Sequence, residues 1–357
     1  MNHEERILKT IEKKKVDRVP ICFHFADEKT ERIFADKMSM DIAEFRKLTD
    51  SDIKRCYLMD DLSMNLSNTE FVRHALEKGF AKKRHEENII YDGWGIGWFL
   101  NSDDPQMPAN HPLGKIESLL DFEPPKIEKE GQFYMVEKLI KKYKQNGYAV
   151  IIPQYSTIFE KAWLLLGFEN FLMQCYDNIE LIEVLLDKIT DFRVEMAEKI
   201  VKYKVTCGHT GDDFGTQKGP IMTLELWKRL FKSRLKRIWD VYKKNNIPVI
   251  HHSCGDCRIY LNDMIEIGLK VLNPVQSSAM PIDELKRDYG DKLTFYGGIN
   301  TEEILTCGTV DDVRKNVHDT FSILGKNGGL ILSPINIMKN VPVENLKALI
   351  ESVNYYR

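Results

Sequence analysis

No apolar run in this sequence approaches the ~20 residues that a bilayer crossing needs. The opening Met1-Asn2-His3-Glu4-Glu5-Arg6-Ile7-Leu8 places charges where a signal peptide has its apolar core. A cytoplasmic location is the expectation. Charge of one sign is also missing: 51 Lys and Arg stand against 54 Asp and Glu, a formal net charge of -3. Basic and acidic residues interleave along the helical segments, so nothing resembles a nucleic-acid or anionic-lipid footprint. There is no phosphate-binding Gly-rich loop, no dinucleotide Gly fingerprint and no Gly-x-Ser-x-Gly elbow. Low-complexity tracts, linkers rich in Ser, Pro and Gly, and repeats of 20–50 residues are absent as well. Cysteine is present but odd in number: Cys22, Cys56, Cys175, Cys207, Cys254, Cys257 and Cys307 are scattered. They read as thiols in a reducing compartment, and the useful question is which of them meet a metal.

What is present is an alternation of strand and helix signals. Short apolar runs occur at Tyr148–Pro153, Val205–His209, Ile247–His251, Leu269–Leu272, Leu293–Tyr296 and Gly329–Leu332. Helical stretches lie between them, at about 178–204, 223–245, 258–267, 282–289 and 309–324, with a last one from about Pro342. Strands joined through helices of this length build parallel sheets. Five regular units can be counted back from the last strand, and an eight-fold barrel needs three more from the first half. Val19-Pro20-Ile21-Cys22-Phe23 is the clearest of these. The expected fold is a (β/α)₈ TIM barrel formed as one domain over residues 1–357. Residues 66–115 read as an irregular, hairpin-rich insertion in its N-terminal half.

The strongest chemical signal is His252-Ser253-Cys254 at a strand end. Residues two apart on a strand face the same side, so an imidazole and a thiol converge, and both are zinc ligands. A buried cysteine beside a hydrogen-bonded histidine is the plainer reading. Cys257 completes a C-x-x-C spacing but lacks a second pair. Asp212 and Asp213, in Gly211-Asp212-Asp213-Phe214-Gly215-Thr216-Gln217, are candidates for substrate binding or acid/base work; loop and cap duty is the alternative. In a parallel barrel all such strand ends share one rim, where sites are assembled. Gln217, Asn273, Gln276 and Asn336 sit at these ends as candidate polar substrate contacts. Trp94, with Tyr91 and Trp98, is either an aromatic pocket wall or core.

Several of these segments together resemble the uroporphyrinogen decarboxylase superfamily. They are Glu5-Arg6-Ile7-Leu8 with Val16-Asp17-Arg18-Val19-Pro20, Asp92-Gly93-Trp94-Gly95, Gly167-Phe168-Glu169-Asn170, the 211–217 run, His252-Ser253-Cys254-Gly255, Asn273-Pro274-Val275-Gln276 and Pro342-Val343-Glu344-Asn345. The resemblance covers nearly the whole chain and also implies a (β/α)₈ barrel. True decarboxylases carry an Arg-Gln-Ala-Gly-Arg run that grips the tetrapyrrole propionates; here Pro20–Asp27 has no arginine pair. They also carry a Gly-His where this chain has Ile335-Asn336. The resemblance is therefore to the cobalamin-dependent methyltransferase branch. It implies zinc held by His252 and Cys254, cobalamin carried on a corrinoid-binding partner protein, and a small methyl donor or a thiol acceptor. The branch keeps a third zinc ligand after the last strand, where Ser333-Pro334-Ile335-Asn336 has no cysteine. Cys307, an acid such as Asp213, or no zinc at all are the readings that remain. A donor-side demethylase fits better than a coenzyme M-using enzyme. The alternatives are a decarboxylase-like lyase, marked by arginine at the barrel mouth, and a non-catalytic corrinoid- or tetrapyrrole-binding protein. The assembly is left open between monomer and homodimer.

Overall fold

A computed structural model describes residues 1–58, 62–84, 88–100, 107–114, 116–127 and 133–356. Fourteen strands are found among the described residues. They are β1 (Ile53–Arg55), β2 (Ala81–Arg84), β3 (Ile89–Asp92), β4 (Gly97–Phe99), β5 (Pro108–Asn110), β6 (Ala149–Ile151) and β7 (Pro153–Gln154), followed by β8 (Gly208–Gly211), β9 (Gly215–Thr216), β10 (Gly219–Pro220), β11 (Val249–His252), β12 (Leu269–Val275), β13 (Thr294–Ile299) and β14 (Leu330–Pro334). A parallel sheet runs in the order β14-β13-β12-β11-β8-β7, and β6 pairs in parallel with β1. The extended segment 20–25 closes the ring. Cys22 N donates to Leu332 O at 3.0 Å, Leu332 N to Pro20 O at 2.9 Å, and Asp52 N to Ile21 O at 2.8 Å. Eight strand positions thus complete the expected barrel.

Side-chain alternation sorts each strand into inward and outward residues. The inward set forms a small apolar tier of Cys22, Ile53, Ala149, Ile151, Cys207, Ile250, Val271, Tyr296 and Ile331, plugged by Ile7 from the helix His3–Ile11. Outward residues meet the surrounding helices, whose apolar residues recur at helical spacing. Helix Ser233–Lys244 buries Leu235, Ile238, Trp239 and Tyr242. Trp239 Nε1 donates to Thr210 Oγ1 at 2.9 Å, and Gln154 Nε2 to the Tyr242 hydroxyl at 2.9 Å.

Below this tier, the Arg6 and Arg18 of the N-terminal motifs converge on Asp52, whose side chain is fully buried. Asp52 accepts from His3 Nδ1 (2.8 Å), Arg6 Nη1 (2.7 Å), Arg18 Nη1 (2.8 Å) and the Ile21 N–H (2.8 Å). Burial alone would raise its carboxyl, but the bonds from His3, Arg18 and Ile21 hold it below the ordinary carboxylate range. Asp52 precedes β1 and binds the backbone of segment 20–25, so it clamps the first two barrel positions together.

The excursion expected at 66–115 leaves from the C-terminal end of β1. It holds a helix, Thr69–Glu77, and an antiparallel sheet ordered β2-β3-β4-β5; residues 85–87, 101–106 and 115 of it lie outside the described set. Leu113 N donates to Leu165 O at 2.9 Å and His111 Nδ1 to Leu164 O at 2.8 Å, fastening the sheet to helix Phe159–Leu166. No helix among the described residues is long and apolar enough to cross a membrane.

Candidate metal and substrate site

Two residues beyond the apolar tier, the same inward register brings up a polar one: His24, Arg55, His209, His252, Asn273 and Ser333. This tier lies at the C-terminal ends of the strands, the face at which barrel sites are built. At its rim the loop after β8 and the loop after β11 meet backbone to backbone. A Cβ on Gly255 (φ +74°) would lie 2.3 Å from the carbonyl carbon of Gly215, and one on Gly215 would lie 2.5 Å from Asp256 N. Asp256 N donates to Thr216 O at 2.9 Å. Only glycines permit this approach, and it carries Asp213 next to Cys254, whose N–H donates to Asp213 Oδ1 at 2.7 Å.

Candidate ligand atoms of Asp213, His252 and Cys254 consequently lie within 4.8 Å of one another. Cys254 Sγ is 3.5 Å from His252 Nε2, which is 3.7 Å from Asp213 Oδ1. The histidine is oriented from behind. Asn273 Nδ2 donates to Tyr296 O at 3.3 Å, which fixes the amide so that its Oδ1 faces His252 Nδ1 at 2.9 Å. Nδ1 must then carry the proton, leaving the Nε2 lone pair directed at the cluster. Burial first, then the carboxylates of Asp213, Glu160 and Glu302, push the Cys254 thiol well above its ordinary value. Burial, Asp213 and Asp212 likewise raise Glu160. Such a concentration of acids favours a cation.

Of the residues singled out in the sequence, His252, Cys254 and Asp213 are brought together. Asp212 is not part of the group. It is fully buried and accepts from the N–H groups of Ile158 (3.0 Å) and Glu160 (2.9 Å), capping helix Phe159–Leu166. Burial pushes its carboxyl up to about 7 against those bonds. Asp212 turns back to that helix, while Asp213, the next residue, turns toward Cys254. The polar atoms of Asn273, Gln276 and Gln217, expected as substrate contacts, are engaged within the protein. Gln276 Oε1 accepts from Gly255 N at 2.8 Å while its Nε2 donates to Glu302 Oε1 at 2.9 Å, and Gln217 Nε2 reaches Glu302 Oε2 at 3.3 Å from an exposed hairpin. These bonds brace the loops that meet at the rim. Asn336 retains a buried Oδ1 without a hydrogen-bond partner, beside Ile335, whose carbonyl accepts from His24 Nδ1 at 3.0 Å.

Cys307 is exposed beyond the turn Thr301–Leu305 and lies outside the ligand group. Trp94 is 3% exposed, edge-on to Phe192 with centroids 4.7 Å apart. It is core between the inserted sheet and helix Ile179–Ile200, not a pocket wall, because packing an indole there buries more apolar area than a wet rim offers. Four residues escaped the sequence reading: Glu160, Glu302, Arg55 and His209. The last two are readable in principle, each falling two positions after an inward apolar residue.

The fold is that of the (β/α)₈ enzymes, with its polar constellation at the catalytic face. Residues 93–356, about three quarters of the chain, match the family described as Uroporphyrinogen decarboxylase (URO-D), and the chain belongs to that family. A curated relative, "Uroporphyrinogen decarboxylase" of Flavobacterium johnsoniae, is 23% identical over 188 residues, covering 51% of this chain. The match spans 50% of that relative's length. Among solved structures, a methyltransferase from Methanosarcina mazei superposes with a TM-score of 0.69 at 16% identity, over 100% of this chain and 99% of that one. At that identity the likeness establishes the shared fold.

Proposed function

We propose that this protein is a zinc-dependent methyltransferase that moves a methyl group between a small O- or N-methyl donor, or a thiol, and a corrinoid protein. The observation that carries the reading is the convergence of Asp213, His252 and Cys254 at the barrel mouth. Ligand atoms around a tetrahedral zinc stand about 3.3–3.8 Å apart for bonds of ~2.0–2.3 Å. Two of the three separations, at 3.5 and 3.7 Å, fall in that range, and all three ligand atoms lie within 4.8 Å of one another. Three protein ligands of mixed N, S and O type are what an open, catalytic site uses. When bound, zinc would supply Lewis acidity toward an ether oxygen or keep a thiol ionised near neutral pH.

The chain's own groups do the rest. Asn273 holds the His252 tautomer, and the Cys254 N–H positions Asp213. Glu160, whose carboxyl is raised well above its ordinary value by burial and by the Asp213 and Asp212 carboxylates, is the group we assign to give a proton to a departing oxygen. The methyl group would travel to or from the cobalt of cobalamin on the partner protein. Zinc analysis of purified protein tests the assignment. About one equivalent is expected in the wild type and little in Cys254→Ala; equal content in both sinks it. Methyl transfer from a methylated donor to cob(I)alamin then tests the reaction.

Arg55 supports a second reading, a lyase acting on a small carboxylate. An acidic tetrapyrrole would need several cationic clamps, and among the described residues the polar tier offers one arginine. Carbon dioxide release from a small carboxylic acid, undiminished by zinc removal, would favour this reading over methyl transfer.

A further inference from the structure

Arg55 is the last residue of β1 and turns inward, across the barrel from β13. Its Nη2 donates to the Tyr296 hydroxyl at 3.2 Å. The groups that act on its charge are Tyr155, Tyr296, Tyr57 and the Cys22 thiol, and no carboxylate among the described residues pairs with it. A guanidinium is always charged and offers five N–H donors, of which one is used here. A cation enclosed without a counter-charge costs several kcal/mol. Other arginines at depth have their donors taken up: Arg6 by Asp17 and Asp52, Arg18 by Asp52, Arg234 by Asp187, and Arg193 by the carbonyls of Tyr155, Ser156 and Thr157. Arg55 gives one bond, to a neutral hydroxyl, and it lies inside the site.

A second observation points to the same place. His209, on β8, is fully buried, and neither of its ring nitrogens has a hydrogen-bond partner. Its neighbours on the strand, Gly208 and Thr210, face the helices, so the imidazole faces the barrel interior. It sits edge-on to Tyr155, which is edge-on in turn to His252, with centroids 4.9 and 5.7 Å apart. Among charged groups Arg55 acts most strongly on both His209 and His24. A buried donor left unmade costs about 1–3 kcal/mol. The floor of the mouth therefore offers free guanidinium donors and an orphaned imidazole.

We infer that the floor of this mouth is an anion subsite, in which Arg55 and His209 bind a carboxylate of the substrate while its reacting end points at the Asp213, His252 and Cys254 cluster. The substrate is accordingly a small methylated acid rather than a neutral alcohol or amine. From the preceding section this takes only the location of the reaction; the metal assignment is tested separately.

The experiment is thermal unfolding of the full-length protein with millimolar propionate or benzoate, against the neutral propionamide and benzamide, with methanesulfonate and inorganic phosphate as further arms. Carboxylates are expected to raise Tm with dose and the amides to leave it unchanged. A larger effect of sulfonate or phosphate than of either carboxylate would overturn the carboxylate assignment. Arg55→Met should weaken carboxylate binding about 30-fold or more, while Arg55→Lys, which keeps the charge but loses the planar fork, should be intermediate. Because the charge is uncompensated, ligand-free Arg55→Met should melt at or above the wild-type temperature. Equal stabilisation by acids and amides, or an undiminished carboxylate response in Arg55→Met, overturns the proposal. So does a clear loss of stability in ligand-free Arg55→Met, which would make the residue structural. Zinc content should be unchanged in Arg55→Met, so a protein without zinc that still binds carboxylates through Arg55 refutes the metal reading alone.

Discussion

Replacing Asp52 by asparagine should lower the melting temperature by about 4 °C and remove a component of the protein's acid sensitivity. The Asp52 side chain is fully buried, while its partners Arg6, Arg18 and His3 are 6%, 16% and 25% exposed. Removing one partner of a buried ion pair costs about 3–5 kcal/mol, because charge is left stranded. The lower end applies here, since Arg6 keeps two bonds to Asp17 at 2.7 and 2.8 Å and His3 and Arg18 retain some water. An unfolding entropy of about 2.1 cal/mol/K per residue amounts to ~0.75 kcal/mol/K over 357 residues. About 3 kcal/mol then becomes about 4 °C, readable by calorimetry. The Asp52 carboxyl is depressed in the folded state, so its contribution is present above the ordinary carboxylate value of ~4 and is lost as pH falls through the lower folded value. The gap between wild type and Asp52→Asn should stay constant above about pH 5 and close below ~4. A loss under 1 °C at pH 7, or a gap that widens on acidification, would refute the clamp.

Three further outcomes separate the supports of the site from its ligands. Asn273→Ala frees the His252 tautomer and should weaken zinc binding about 10–100-fold, measured by chelator competition. An unchanged affinity would mean the amide does not orient the imidazole. Gly255→Ala, with its Cβ forced to 2.3 Å from the Gly215 carbonyl carbon at φ +74°, should cost about 1–3 kcal/mol and also lower zinc content by separating Cys254 from Asp213. Retained zinc would show that the loop contact does not build the cluster. Trp94→Ala should cost about 3–5 kcal/mol as a core cavity, with zinc content per folded molecule unaltered; a variant of native stability would return Trp94 to the pocket wall.

The barrel was legible where strands are buried on both faces. Runs such as Ile247–His251 and Gly329–Leu332 are apolar and bounded by turn residues, and the helices between them carry clear periodicity. The second barrel strand was not legible, because Ile53-Lys54-Arg55 is three residues long and two of them are cationic. Its inward position depends on a register set by pairing with β6 and by the Asp52 clamp. Both partners lie far away in sequence. Arg6 and Arg18 stood out as motif residues, yet their physical role required Asp52 as the common acceptor, and local pattern does not supply that.

The site divides along the same line. His252 and Cys254 share a face through strand alternation, a local rule that operates before any tertiary structure exists. The third member comes from a different strand. Asp213 joins them because two glycines let the loops after β8 and β11 touch, and because Asp212 turns the other way to cap a helix. After the last strand, where the resemblance read from the sequence led to the expectation of a third ligand, this chain places an asparagine with an unpaired amide oxygen. Arg55 and His209 lie in the same tier. On the proposals made above, the two belong to one arrangement: the Asp213, His252 and Cys254 cluster gathers at the rim after β8 and β11, and the tier beneath it, with Arg55 on β1 and His209 on β8, is left for a charged substrate.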